Sequence, residues 1–318
     1  MNNNIEARSG RPRLEAMLAA FDPKRHGGEV TALRPGRPRG ALIVATMRRF
    51  DNGRMNKHRS NLTFRRLALL SMTTFACANA AGAEDGPAVT PYRPSVSTPA
   101  NLSAPGWLEV EAGVQRSRAD DPQRRDTLPY TLKLAFTPDW GIRIGGDAFV
   151  RQLNADGSRL SGGGDTTVVL KRRFEVNSAS AFGGELSVKI PTARGDLGSG
   201  HTDVGVNGIY SADFAEKWHV DLNATATHLG GVDPGTSSWQ QGWAAALSRN
   251  LTDKWSAVAE LSGTQRGGAT RTSQALVATS YSVAPALVVD VGVSKGLNAA
   301  SGGWSVFTGV TFLTARMF

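Results

Sequence analysis

The sequence predicts an all-β fold: an antiparallel transmembrane β-barrel of the outer-membrane type, with about twelve strands. Three observations carry this. Residues 107–318 break into segments of roughly ten residues whose apolar and polar side chains alternate, the period and length of a tilted membrane strand. Trp140, Trp218, Trp239, Trp255 and Trp304 stand at the ends of those segments, where an interfacial aromatic belt lies. Short and long connections alternate along the chain, as the turns and loops of such barrels do.

The strands follow in order. Leu108, Val110, Ala112 and Val114 oppose Glu109, Glu111 and Gln115. Tyr130, Leu132, Leu134 and Phe136 oppose Thr131, Lys133 and Thr137, and Ile142, Ile144, Ala148 and Val150 oppose Arg143, Asp147 and Arg151. Phe182, Leu186, Val188 and Ile190 then face away from Glu185, Ser187 and Lys189. The same rhythm returns at 218–227, 255–262 and 287–294, and less regular strands are expected near 165–175, 202–212, 239–250, 271–283 and 304–313. A helix needs apolar spacings of three and four, which these runs lack. Against a soluble sandwich, the segments are long and their apolar face is rich in single Ala and Val rather than bulky interlocking side chains.

Charge divides the chain. The formal net charge is +9 over 318 residues, yet fifteen of the 36 Lys and Arg and only five of the 27 Asp and Glu fall within residues 1–83. The remaining 21 basic and 22 acidic residues nearly balance. The basic excess therefore does not describe the barrel, and no nucleic-acid partner is expected. Residues 55–83 read as a signal peptide: Lys57, Arg59, Arg65 and Arg66, then an apolar run Leu67–Ala78 too short to span a bilayer, then small residues. Residues 1–54, Arg- and Pro-rich without periodicity, read as a gene-model extension or leader, with translation starting at Met55. Residues 84–106 read as a Pro-rich periplasmic linker, and 107–318 as the barrel. The single cysteine, Cys77, lies in the signal.

The motifs become specific in two stretches. Gly164-Asp165-Thr166-Thr167-Val168-Val169-Leu170-Lys171-Arg172-Arg173-Phe174 is one; Val188-Lys189-Ile190-Pro191-Thr192-Ala193, followed by Gly198-Ser199-Gly200 and Asp203-Val204-Gly205, is the other. Both resemble the bacterial family named for the MetA pathway of phenol degradation, over roughly residues 90–318. The resemblance implies an outer-membrane, transporter-like barrel. A terminal Phe318 resembles the signal read by the barrel-assembly machinery.

Alternation aims Lys133, Arg143, Asp147, Lys171, Arg173, Glu185, Lys189, Asp203, Asp221, Glu260 and Asp290 at the lumen, a wall of mixed sign expected to form a cross-strand ionic network around a narrow pore. No catalytic residue, metal ligand or cofactor is assigned. Gly195–Thr202 differs from a phosphate loop by His201 in place of Lys and lies between strands, without the helix such a loop requires. The expected function is passage or binding of small molecules, aromatic or apolar ones among them, by a barrel set in outer-membrane lipid. The alternatives are a hydrolase using Asp196, His201 and Asp203, and a non-conducting structural barrel.

Overall fold

A computed structural model describes residues 86–318; the expected leader and signal peptide lie outside the described residues. Thirteen strands form one antiparallel sheet: β1 (Trp107–Arg118), β2 (Arg124–Ala135), β3 (Trp140–Leu153), β4 (Arg159–Gly162), β5 (Thr166–Asn177), β6 (Ser180–Ile190), β7 (Asp203–Ala215), β8 (Trp218–His228), β9 (Trp239–Asn250), β10 (Trp255–Arg266), β11 (Thr272–Ala284), β12 (Leu287–Gly296) and β13 (Trp304–Arg316). Strand β1 pairs with β2 on one side and β13 on the other, so the sheet closes. The ring contains twelve strands; β4 is a short outgrowth paired only with β3. Closure leaves no free edge, and the backbone is satisfied within the wall, as a membrane requires.

Side-chain alternation is the physical basis of the fold. Outward rows such as Leu132, Leu170, Leu186, Leu222, Leu261 and Val291 are exposed, while inward Glu109, Lys133, Lys171, Glu260 and Asp290 are buried. Apolar out and polar in is the pattern of a membrane barrel, the reverse of a soluble protein. Every segment read as a strand is one, within a few residues at its ends.

Tryptophans open six strands, and cations settle over three of them. Arg172 lies 5.0 Å from the Trp140 ring and 4.5 Å from that of Phe174, and Arg249 lies 5.0 Å from that of Trp218, all at the short-turn end. At the long-loop end Arg118 lies 5.7 Å from Trp304. An outward arginine is tolerated at these levels because it lies along an aromatic face at the membrane boundary.

Three expectations need correction. The strand β4 and the 3-10 turn Gly195–Leu197 occupy stretches read as open loops. A β-bulge in β3 pairs Leu128 with Phe149 but Pro129 with Asp147, leaving Ala148 as the extra residue. Beyond it the facing reverses, so Phe149 and Arg151 are exposed and Val150 is fully buried. A one-residue insertion in a period of two has this effect on every later position. Third, residues 86–106 are not a linker outside the barrel; they run through it.

Candidate functional site

The segment 86–106, called the strap below, enters at the short-turn end, where the Val89 amide donates to the Pro285 carbonyl at 2.9 Å. It leaves at the same end, where the Gly106 amide donates to Ala135 at 2.9 Å. Between these points it circles the inner wall. Five of its 21 residues are proline, and it forms no ladder with any strand. Its buried main-chain groups must therefore find partners elsewhere. The wall side chains supply them.

The circuit begins on β1 and β2. Glu109 accepts from the Thr90 amide at 3.0 Å and Glu111 from the Tyr92 amide at 2.7 Å. Lys133 lies 2.7 Å from Glu109 and 2.5 Å from Glu111, and donates to the Thr90 carbonyl at 2.6 Å. This triad is at most 3 % exposed, and it depends on Lys133, whose removal strands two buried carboxylates. Tyr92 then turns into the interior. Its hydroxyl donates to the Asn101 carbonyl at 2.8 Å and accepts from Lys171 at 2.9 Å.

Arg93 is the one charged residue of the strap. Its guanidinium donates to both Asp290 oxygens, 3.1 Å each, a forked pairing with 16 % and 2 % exposure. Two wall glycines make the room. A Cβ at Gly309 would lie 2.4 Å from Arg93 Nε, and one at Gly113 would lie 2.9 Å from Nη2.

On β10, Glu260 accepts from the amides of Val96 and Ser97 and from the Ser97 hydroxyl, all at 2.9 Å. On β8, Asn223 reads both main-chain groups of Thr98, accepting its N–H at 2.9 Å and donating to its C=O at 2.9 Å. Ser211 on β7 accepts the Ala100 amide at 2.7 Å and donates to Asp221. Asp221 also meets His219, 3.1 Å away, whose other ring nitrogen is 2.7 Å from Asp213. Lys171 donates to the Pro99 carbonyl, and Arg173 to the Asn101 side chain at 3.1 Å.

The eleven residues expected to line the lumen fall into two groups by their contacts. Lys133, Lys171, Arg173, Glu260 and Asp290 bond the strap directly. Glu185 touches Thr98 at 3.5 Å and holds Arg143 at 3.3 Å and Lys171 at 3.6 Å, while Asp221 reaches the strap through Ser211. Asp147, Lys189 and Asp203 form a separate group toward the long loops, with Arg125 3.8 Å from Asp147 and Lys189 2.5 Å from Asp203. The ionic network expected from sequence is present, but it is organised around the strap. Sequence reasoning missed Tyr92, Arg93, Ser211 and Asn223 as site residues. A lone arginine between tyrosine and proline, in a stretch otherwise uncharged, was the available signal.

The wall is also less mixed than alternation alone suggests. Charge concentrates on β1–β8, whereas Ala246, Val258, Leu276 and Phe307 form an apolar inner cluster on β9–β13. Cavities remain on both sides of the strap. One of about 680 Å³ lies at the short-turn end between residues 88–99 and His219, Ser256, Val258, Ser280 and Val288. One of about 470 Å³ lies toward the long loops, bounded by Arg125, Arg143, Asp147, Asp165, Lys189 and Leu197. The strap borders the first of these cavities, while the second is lined by wall and loop residues.

The residues considered for hydrolysis are not assembled. Asp203 pairs with Lys189 and accepts the Gly230 amide at 3.0 Å, and no hydrogen bond joins Asp196, His201 and Asp203 among the described residues. The phosphate-loop-like run lies between β6 and β7 and contains only the 3-10 turn, so the helix N-terminus that an anion would need is missing there.

Among solved structures, an outer membrane channel from Pseudomonas putida F1 superposes with a TM-score of 0.56 at 15% identity, covering 71% of this chain and 100% of that one. The NanC porin gives 0.48 at 8% identity over 64% and 98% of the two chains, and the KdgM porin 0.47 at 12% over 64% and 99%. At such identities the likeness is one of fold, an outer-membrane barrel. A search of proteins of curated function gives no match. The family model for the MetA pathway of phenol degradation matches residues 92–314, from within the strap into β13, and the chain belongs to that family.

Proposed function

We propose that this chain is an outer-membrane channel for small molecules whose lumen is gated by the strap. The carrying observation is how the strap is held. Between its two rim anchors it is bonded by side chains to its main chain and by one ion pair, and its pairing with the wall strands is limited to one bridge, Pro105–Ala135, at the short-turn rim. A segment held this way leaves the twelve-stranded ring intact when it is released. Both ends of the strap reach the short-turn rim, so release toward that side requires no threading. That rim is the periplasmic one by its short turns. A cleaved signal at 55–83 and recognition of Phe318 by the barrel-assembly machinery complete the reading. The apolar cluster on β9–β13, in a family associated with phenol degradation, fits small aromatic or apolar cargo.

The test is planar-bilayer recording of refolded protein. Discrete conductance steps whose ion selectivity shifts in Lys171→Met or Glu185→Gln support a pore through the lumen. Absence of steps in the intact chain and in every strap variant overturns it.

A further inference from the structure

Tyr92 places a phenol ring inside the barrel against β1, β2, β3 and β5, and the wall treats that ring as a ligand. Lys133 Nζ lies 3.9 Å from its centroid, Lys171 Nζ 4.3 Å, and the Arg143 guanidinium 5.5 Å. Three cations around one aromatic ring is a cation–π cage, and burial strengthens it by removing competing water. Both lysines are 3 % exposed, and Tyr92 itself is 7 % exposed. The phenol oxygen is read as well, accepting from Lys171 at 2.9 Å while its proton goes to Asn101 O at 2.8 Å.

All three cage cations project from the wall, on β2, β3 and β5; none belongs to the strap. Each is held by wall carboxylates: Lys133 by Glu109 and Glu111, Lys171 and Arg143 by Glu185. The strap adds bonds from Lys133 to the Thr90 carbonyl and from Lys171 to the Pro99 carbonyl, but the wall carboxylates hold all three cations without them. When the strap leaves, the cage presents three cations to the ring's negative face and an ammonium donor to a hydroxyl. Glu185, 3.6 Å from Lys171, is left as the acceptor for the hydroxyl proton.

We propose that the Lys133–Arg143–Lys171 cage is a luminal binding site for small hydroxylated aromatic molecules, filled in the closed channel by the side chain of Tyr92 acting as a tethered stand-in for the solute. Free phenol and the strap compete for the site, so the solute itself promotes release of the strap. The inference deepens the gated-channel reading and rests on it for the consequence, though not for the binding.

The site follows a chemical logic of discrimination. A buried ammonium that hydrogen-bonds a hydroxyl disfavours a ring without one, because the donor is left unsatisfied. Phenol should therefore be preferred to benzene, where a merely apolar cavity would take both.

The test uses the full chain in detergent or nanodiscs, with phenol and benzene as probes and calorimetry or equilibrium dialysis as the readout. Tyr92→Ala empties the cage and should bind phenol at least about tenfold more tightly than the intact chain, and about tenfold more tightly than benzene, the ratio lost with one charge-assisted hydrogen bond. Adding Lys171→Met should abolish the preference for phenol. Tyr92→Phe keeps the ring in place and should gain no phenol binding, which separates an emptied site from a loosened strap. Equal phenol binding by the intact chain and Tyr92→Ala, or equal binding of phenol and benzene by Tyr92→Ala, overturns the proposal. Phenol should also raise the open fraction of the intact chain in bilayers. Binding without any conductance change supports the site and counts against the gated channel; a conductance response that persists in the Lys171→Met chain counts against the site.

Discussion

Glu260 offers the most direct view of what holds the strap. Its carboxylate is 3 % exposed, and the groups that bond it are uncharged: two amides and a hydroxyl of Val96 and Ser97, at 2.9 Å. Hydrogen bonds to a charged acceptor contribute about 1.5–3 kcal/mol each, but three bonds made by one side chain to adjacent residues share their effect, and water recovers the released amides. Glu260→Ala should therefore weaken docking by about 3 kcal/mol, roughly a 150-fold rise in the undocked population. Hydrogen exchange with mass spectrometry reads this, because docked amides exchange through opening. The distant amides decide the matter. Thr90 bonds Glu109 on β1 and Ala100 bonds Ser211 on β7, both remote from Glu260. If the strap docks as one unit, Thr90 and Ala100 should accelerate by a factor similar to that of Val96 and Ser97. Acceleration confined to Val96 and Ser97 would refute docking as a unit, and with it the gate.

Other expectations follow from the same geometry. Lys133→Met leaves Glu109 and Glu111 buried without a cation and should destabilise the protein by about 3–5 kcal/mol, seen as a lower urea midpoint for loss of the folded band on gels, with partial recovery in Lys133→Met/Glu111→Gln. A chain lacking residues 88–103 exposes Asp290 and Glu260 without the strap groups that bond them, so its pore should be cation-selective, and Asp290→Asn or Glu260→Gln in that chain should move the reversal potential toward zero. Phe149→Arg puts a cation on the lipid face created by the bulge and should reduce stability by up to about 1 kcal/mol near the membrane boundary, whereas Arg151→Leu on the same face should leave the unfolding midpoint unchanged or raised.

The twelve strands were legible because lipid and lumen impose opposite demands on neighbouring side chains, and that demand writes a period of two. Lys171 and Glu185 could be aimed inward from this period alone. Val150 could not, because the bulge at Ala148 leaves no mark in composition and reverses every position after it. The strap was illegible for a different reason. Its main chain is satisfied by side chains distant in sequence, from Glu109 to Glu260, and such pairing has no period. Its prolines and small residues look like those of a linker, and they are what lets it bend around the wall without pairing. The inner apolar cluster appears only when β9–β13 pair and bring Ala246, Val258, Leu276 and Phe307 together beside Glu260 and Asp290.

The central claim is that the strap closes an otherwise continuous pore. Single-channel conductance of the intact chain against a chain lacking residues 88–103, both refolded and both verified as barrels by heat-modified gel mobility, tests it most directly. The account predicts long-lived openings of several-fold larger conductance in the shortened chain, with the intact chain closed or flickering. Equal conductance in the two, or no conductance from a correctly folded shortened chain, would contradict it.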